Sequence, residues 1–210
     1  MYNRPHFKAH SREELISFLA AHPFVTLCGV DANSHPVATQ VPVLLDHSGD
    51  QVFLRGHLMR KQSHTLAFEA NPKVLALFQG AHAFVSARHN DDPAAGGTWN
   101  YATVQAHGTL EWLDPAGVHQ ILKDLTDQYE GQSDSPSRFE KISADYLAAN
   151  LPAIVGFRMR VEKMEEVFKW SQNKTETTRA RILDHLSQGS PAEKALYQDM
   201  ARYYDLNEQP

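Results

Sequence analysis

The sequence predicts a mainly β protein with added helices, and three observations carry that reading. Short segments of alternating apolar and polar residues recur along the chain, separated by turns rich in Gly, Asn, Asp and Pro. There is no strand–helix–strand rhythm and no Gly-x-Gly-x-x-Gly, which disfavours a doubly wound nucleotide fold. Two helical patterns follow the last strand pattern. The expected division of the 210 residues is a strand-rich domain over 1–170, with inserted helices, and a helical extension over 171–210.

The elements follow in order. Ser11-x-x-Glu14 has the form of a capping box and predicts a helix over 12–21. Phe24–Val30 is a short apolar strand ended by a turn at Asp31-Ala32-Asn33-Ser34. Val37, Thr39, Val41, Val43 and Leu45 share one face of a second strand, so the two make a hairpin. Pro36 and Pro42 inside that pattern imply an edge, a bulge or a barrel corner. His47-Ser48-Gly49-Asp50 turns the chain into a strand over 51–57, and 59–70 reads as a helix stopped before Asn71-Pro72.

Residues 73–79 and 83–88 read as strands separated by Gly80, and 90–98 as a loop. A long two-faced strand runs over 101–112. Asp114-Pro115 supplies an N-cap and an N1 proline for a helix carrying Val118, Ile121, Leu122, Leu125 and Tyr129. A polar linker over 131–136, a helix over 139–149 and a strand from Val155 toward Trp170 come next. Helices over 175–187 and 191–205 close the chain, the second begun by the capping box Ser190-x-x-Glu193. The total is six or seven antiparallel strands.

Composition narrows the function classes. The longest strongly apolar run, 74–78, is far short of a membrane span. The first seven residues contain no apolar signal core, and Cys28 is the only cysteine, so no internal disulfide forms; together these predict a cytoplasmic protein. The formal net charge of −5 argues against a protein built around nucleic acid. The twelve histidines are scattered and show no metal-ligand spacing. His57 and His107 are the proton-transfer candidates by residue type, although a structural histidine is the commoner role.

Three stretches carry chemistry. Gly56-His57-Leu58-Met59-Arg60-Lys61 ends a strand and opens a helix, so two cations and free helix N–H groups could hold a phosphate monoester. Thr98-Trp99-Asn100-Tyr101, leading through Thr103 to His107-Gly108, sets aromatic rings around an amide where a loop enters a strand, which suits a flat heteroaromatic ligand. Phe168-Lys169-Trp170-Ser171-Gln172-Asn173-Lys174 ends the last strand; on its own it reads as a turn and helix cap.

Taken together, these stretches resemble the PaiB-type FMN-binding negative transcriptional regulators, within the FMN-binding split-barrel group that includes pyridoxine-phosphate oxidases and flavin reductase-like proteins. The resemblance runs from Phe24 through Leu186 and is most specific at Gly56-His57-Leu58, Phe78-Gln79-Gly80-x-His82-Ala83, Thr98-Trp99-Asn100-Tyr101 and Ser171-Gln172-Asn173. It implies a six-stranded Greek-key split barrel and a homodimer with FMN at the subunit interface. By resemblance, Arg60 and Lys61 would hold the FMN phosphate, and Thr39, Gln40 and Val41 would line the isoalloxazine with backbone groups. Gln79 would lie near the ring or ribityl chain, Trp99, Asn100 and Tyr101 would complete the pocket, and Lys169, Gln172 and Asn173 would join it. The family usually continues after Gly-His-Leu with Ala-Arg-x-Asn-Pro-Gln; here Met59-Arg60-Lys61-Gln62-Ser63-His64 keeps the Arg and lacks the Asn-Pro-Gln. The function implied is a flavin-dependent redox or sensory protein. The alternative is a flavin oxidoreductase without DNA binding. Direct DNA binding is poorly supported, because the last helix mixes Glu193, Asp199 and Asp205 with Lys194 and Arg202.

Overall fold

Period-2 burial builds the sheet. A computed structural model describes residues 4–131 and 135–205, apart from the side chains of Pro93 and Asp205. Its strands are β1 Phe24–Val30, β2 Pro36–Pro42, β3 Leu44–Ser48, β4 Gln51–Met59, β5 Lys73–Val85, β6 Thr98–Trp112 and β7 Ile154–Lys169. Its helices are α1 Arg12–Ala21, α2 Ser63–Ala70, α3 Pro115–Glu130, α4 Ala144–Asn150, α5 Glu176–Ser187 and α6 Pro191–Asp205. The chain divides into two compact units: unit 1 takes in residues up to 18, 79–104 and from 165 on, and unit 2 takes in 19–78 and 105–164.

Unit 2 holds all of β1–β4 and one end each of β5, β6 and β7. The strands form one seven-stranded sheet in the order β2-β1-β5-β6-β7-β4-β3, with antiparallel registers such as Leu27↔Thr39 and Met59↔Ile154. The order has two free ends, so the sheet is open, as expected of a split barrel, with seven strands where the resemblance implied six. The ends still approach: a Cβ on Gly56 of β4 would lie 3.0 Å from the Pro42 carbonyl of β2. Its core includes Val25, Leu27, Val41, Leu54, Phe68 and Phe157, all buried. The Asp114 carboxylate accepts from the Gly117 N–H at 2.8 Å and starts α3. Arg55 on β4 then fastens α3, pairing with Asp124 at 2.7 Å and with Asp46 on β3.

Unit 1 gathers the other ends of β5–β7 with α5, α6 and the beginning of the chain. The Phe168 N–H donates to the Phe7 carbonyl at 3.0 Å, and the rings of Phe18 and Phe168 meet edge to face. The second capping box forms as expected, the Ser190 N–H donating to Glu193 Oε2 at 2.7 Å.

Several elements differ from expectation. The strand expected over 37–45 is two strands, because the chain breaks at Val43, whose N–H goes to the Pro23 carbonyl at 2.8 Å. The strands expected on either side of Gly80 are one: inward positions shift from even to odd numbers between Gly80 and Ala83, the mark of an extra residue in a bulge. The helix expected over 59–70 starts at Ser63, since β4 stays paired to β7 out to Met59. The helix expected over 139–149 is a 3-10 turn, Phe139–Lys141, followed by α4, whose N-cap Ser143 accepts from the Tyr146 N–H. The expected linker over 131–136 and extension over 171–210 lie in part outside the described residues. Among the described residues no helix is long and apolar enough to cross a membrane.

Candidate functional site

The expected site residues fall into two groups, one in each unit. In unit 2 the first is the turn between β4 and α2. The Arg60 N–H donates to the Ala153 carbonyl at 2.8 Å, and Lys61 takes a left-handed backbone, φ +60°. Both side chains are exposed, and among the described residues neither has an acidic partner. The N-cap of α2 is Gln62, whose side chain caps nothing. The first N–H groups of α2 are therefore free to meet an anion, with the helix dipole in favour. Thr65, fully buried, anchors the turn by donating to the Met59 carbonyl at 2.8 Å. Burial lowers the pKa of His64, which leaves Arg60 and Lys61 as the cations here.

Thr39, Gln40 and Val41 lie on β2, at one end of the sheet order, paired only with β1. Val41 is buried, Thr39 half-buried and Gln40 exposed. An edge strand keeps alternate N–H and C=O groups unpaired, which is what a flavin ring edge requires. Helix α2 packs on β1 and β2, so the cationic turn and the edge strand are neighbours.

In unit 1 the strand pattern sorts the rest by face. Trp99 and Tyr101 point outward from β6, whereas Asn100 points inward with Ala102 and Val104. Trp99 is 55% exposed and forms an aromatic patch with Phe84, 50% exposed, and with His82. Sequence reasoning missed Phe84 and the packing role of His82; the outward alternation of β5 was the available signal. Gln79 is exposed, its amide 3.4 Å from His82 Nδ1.

Asn100 is completely buried. Its Nδ2 donates to Ser171 Oγ at 2.9 Å, the Ser171 hydroxyl lies 3.3 Å from Oδ1, and Met200 Sδ is 3.5 Å away. Ser171 has φ +66°, and Gln172 closes that turn, its Oε1 accepting from the Trp170 N–H at 2.8 Å and its Nε2 donating to the Phe168 carbonyl. Lys169 donates to Thr98 Oγ1, and Asn173 is exposed. The structure therefore brings Asn100, Lys169 and Gln172 together around one turn, with the amides of Asn100 and Gln172 committed to the protein, whereas Trp99 points away from it. Asn100→Ala is expected to lower stability by about 1–3 kcal/mol, since it leaves the Ser171 hydroxyl buried without its partner. Thermal melts check this; a wild-type melting temperature would show that the contact contributes nothing.

The two histidine candidates are set in different surroundings. His57 lies on the outer face of β4; burial lowers its pKa, and its Nδ1 is buried with no partner. His107 lines a cavity of about 400 Å³ with Cys28, Lys73 and Glu162. Burial pushes the Cys28 thiol up, which keeps it protonated and a poor nucleophile.

A family model described as "Putative FMN-binding domain" matches residues 1–163. The chain is similar to "Protease synthase and sporulation protein PAI 2" of Bacillus subtilis strain 168, 30% identical over 190 residues that cover 89% of each chain. Among solved structures it is similar to the FAD and heme binding protein from Mycobacterium smegmatis, with TM-score 0.57 and 19% identity over 77% of this chain and 72% of that one. It is also similar to the flavocytochrome Anf3 from Azotobacter vinelandii, with TM-score 0.53 and 17% identity over 77% and 68%. At those identities the two structures speak for the fold alone.

Proposed function

Since the chain belongs to this FMN-binding domain family, with FMN as its cofactor, we propose that it is a homodimeric flavoprotein that uses bound FMN for electron transfer or redox sensing. The observation that carries the reading is the turn at Arg60-Lys61: two cations without acidic partners among the described residues, set at an uncapped helix N-terminus beside an edge strand. These residues fit the cofactor. Arg60, Lys61 and the α2 N–H groups would hold its phosphate, and the backbone of Thr39, Gln40 and Val41 would meet the ring edge. FMN supplies one- and two-electron redox chemistry when bound, and the protein positions and tunes it.

The outward patch of Phe84, Trp99 and His82 supports a dimer, because exposed aromatics of this size are commonly covered by a partner or a ligand. Tyr101 and Gln79 border that face. Direct DNA binding is not part of this reading: α6 carries charges of both signs, and Arg202 is engaged with Asp199 at 3.5 Å.

The test is spectroscopic. The purified protein is expected to show the absorption bands of bound flavin, or to acquire them on adding FMN, and to run as a dimer by size exclusion. Anaerobic NADH or NADPH is then expected to bleach the bands. Failure to bind FMN at micromolar levels would overturn the whole reading. Binding without bleaching by any reductant would leave FMN in place and remove the redox role.

A further inference from the structure

A groove of about 790 Å³ lies in unit 2, among β4, α3 and residues 136–146. That volume is in the range of small-molecule sites. Its walls are mainly apolar. Leu122 and Tyr129 of α3 face Ile142 and Tyr146, and the two tyrosines stay 57% and 61% exposed. These α3 residues sit off the stripe of Val118, Ile121 and Leu125 that the sheet buries. The helix therefore presents a second apolar edge that the fold leaves uncovered.

Polar groups converge on the groove at two points. His57 lines it, and its Nδ1 is sealed from solvent with no hydrogen-bond partner. With no acceptor for a proton on Nδ1, the tautomer that carries it on Nε2 is the favoured one. Burial keeps the ring neutral. Nε2–H is then a donor without a protein acceptor among the described residues. At the rim, Lys141 Nζ donates to the Ser135 carbonyl at 3.1 Å and has no carboxylate partner among the described residues. Glu130, also on the rim, already accepts from the Ser135 hydroxyl at 2.9 Å. The groove thus offers unspent donors between apolar and aromatic walls.

We propose that this groove, which Pro42 and His57 set directly beside the flavin groups, is a ligand site for a small planar aromatic acid. The ring packs between Leu122, Ile142 and the tyrosines, and the acid oxygens take hydrogen bonds from His57 Nε2 and Lys141. The inference goes beyond the flavin reading and stands without it.

Calorimetry on the full chain, loaded with FMN, tests it with 2-naphthoate as the probe. Saturable binding of one naphthoate per chain is expected. Ile142→Trp, which fills the groove, is expected to abolish it. Lys141→Gln is expected to weaken naphthoate about threefold, as for a rim ion pair, and to leave neutral 2-naphthamide unchanged. Nitrogen NMR of the imidazole is expected to show the His57 Nε2 resonance moving on binding. The proposal is overturned if naphthoate does not saturate by about 5 mM, a millimolar Kd being the weakest useful affinity. It is also overturned if Ile142→Trp, folded by circular dichroism, binds like wild type, or if naphthoate displaces FMN. Repeating the titration on protein freed of FMN separates failure of this site from failure of the flavin reading.

Discussion

Replacing Arg60 and Lys61 together by alanine is expected to weaken FMN binding at least about a hundredfold. Charge-assisted contacts to a phosphate are worth roughly 1.5–3 kcal/mol each, so two give about 3–6 kcal/mol, and about 1.4 kcal/mol is a factor of ten. Both side chains are exposed, which places the effect toward the lower end, because water and salt screen them. The fold is expected to survive, since neither side chain is paired with an acid among the described residues. Lys61 also stores strain: its φ of +60° costs an L-residue about 1–2 kcal/mol. Lysine and alanine bear that strain alike, so it cancels in the double variant. Lys61→Gly releases it, and is expected to raise stability while lowering FMN affinity. Because Lys61→Ala and Lys61→Gly both lack the cation, a stability gain of the glycine variant over the alanine variant identifies the backbone strain. Fluorescence titration of FMN at fixed ionic strength measures the first effect and a denaturant midpoint the second. An unchanged Kd in the double variant would place the phosphate elsewhere.

Legibility followed the range of the interactions. Phe24–Val30, the start of α3 at Asp114-Pro115 and the start of α6 at Ser190 rest on local chemistry, and all appear where the residues place them. The start of α2 does not, because pairing with β7 holds Met59 in a strand against its local helical pattern. The break at Val43 is similarly set by a carbonyl twenty residues away. In the site, the phosphate end was readable as two adjacent cations at a strand end. What the residues did not disclose was the uncapped Gln62 or the strained Lys61, since caps and positive φ are properties of the folded turn.

The aromatic stretch shows the same limit from the other side. Trp99, Asn100 and Tyr101 are adjacent in sequence and therefore cannot all face one ligand from a strand. The alternation that assigns Asn100 to the face of Ala102, Val104 and Ala106 was present in the residues. Its partner was not: Ser171 is 71 positions away and is brought back by the turn after β7. Two motifs that look independent along the chain are thus one buried hydrogen-bonded pair.

Gly108→Ala is expected to be the most damaging methyl added at any glycine of the sheet. Gly108 is the last residue of the Thr98–Gly108 stretch, and it faces inward on β6 in the middle of the sheet. A Cβ there would lie 2.1 Å from the Arg160 carbonyl oxygen and 2.9 Å from Met159 Cε. The methionine end can move; the carbonyl belongs to β7 and cannot move without parting the strands. Overpacking costs about 1–3 kcal/mol where side chains absorb it, so a backbone obstruction should reach at least the upper figure. At about 2–4 °C per kcal/mol for a chain of this size, the melting temperature should fall by roughly 6–12 °C. Two other glycines calibrate the result. At Gly56 the nearest obstacle is the Phe157 ring tip at 2.8 Å, with the Pro42 carbonyl at 3.0 Å, so alanine there should cost less. At Gly49 nothing lies within 4 Å and φ is +54°, which leaves only about 1–2 kcal/mol of backbone strain. The order of loss should be Gly108, then Gly56, then Gly49. A Gly108→Ala protein that melts within about 2 °C of wild type, a loss under ~1 kcal/mol, would mean that β6 and β7 are not held at this separation.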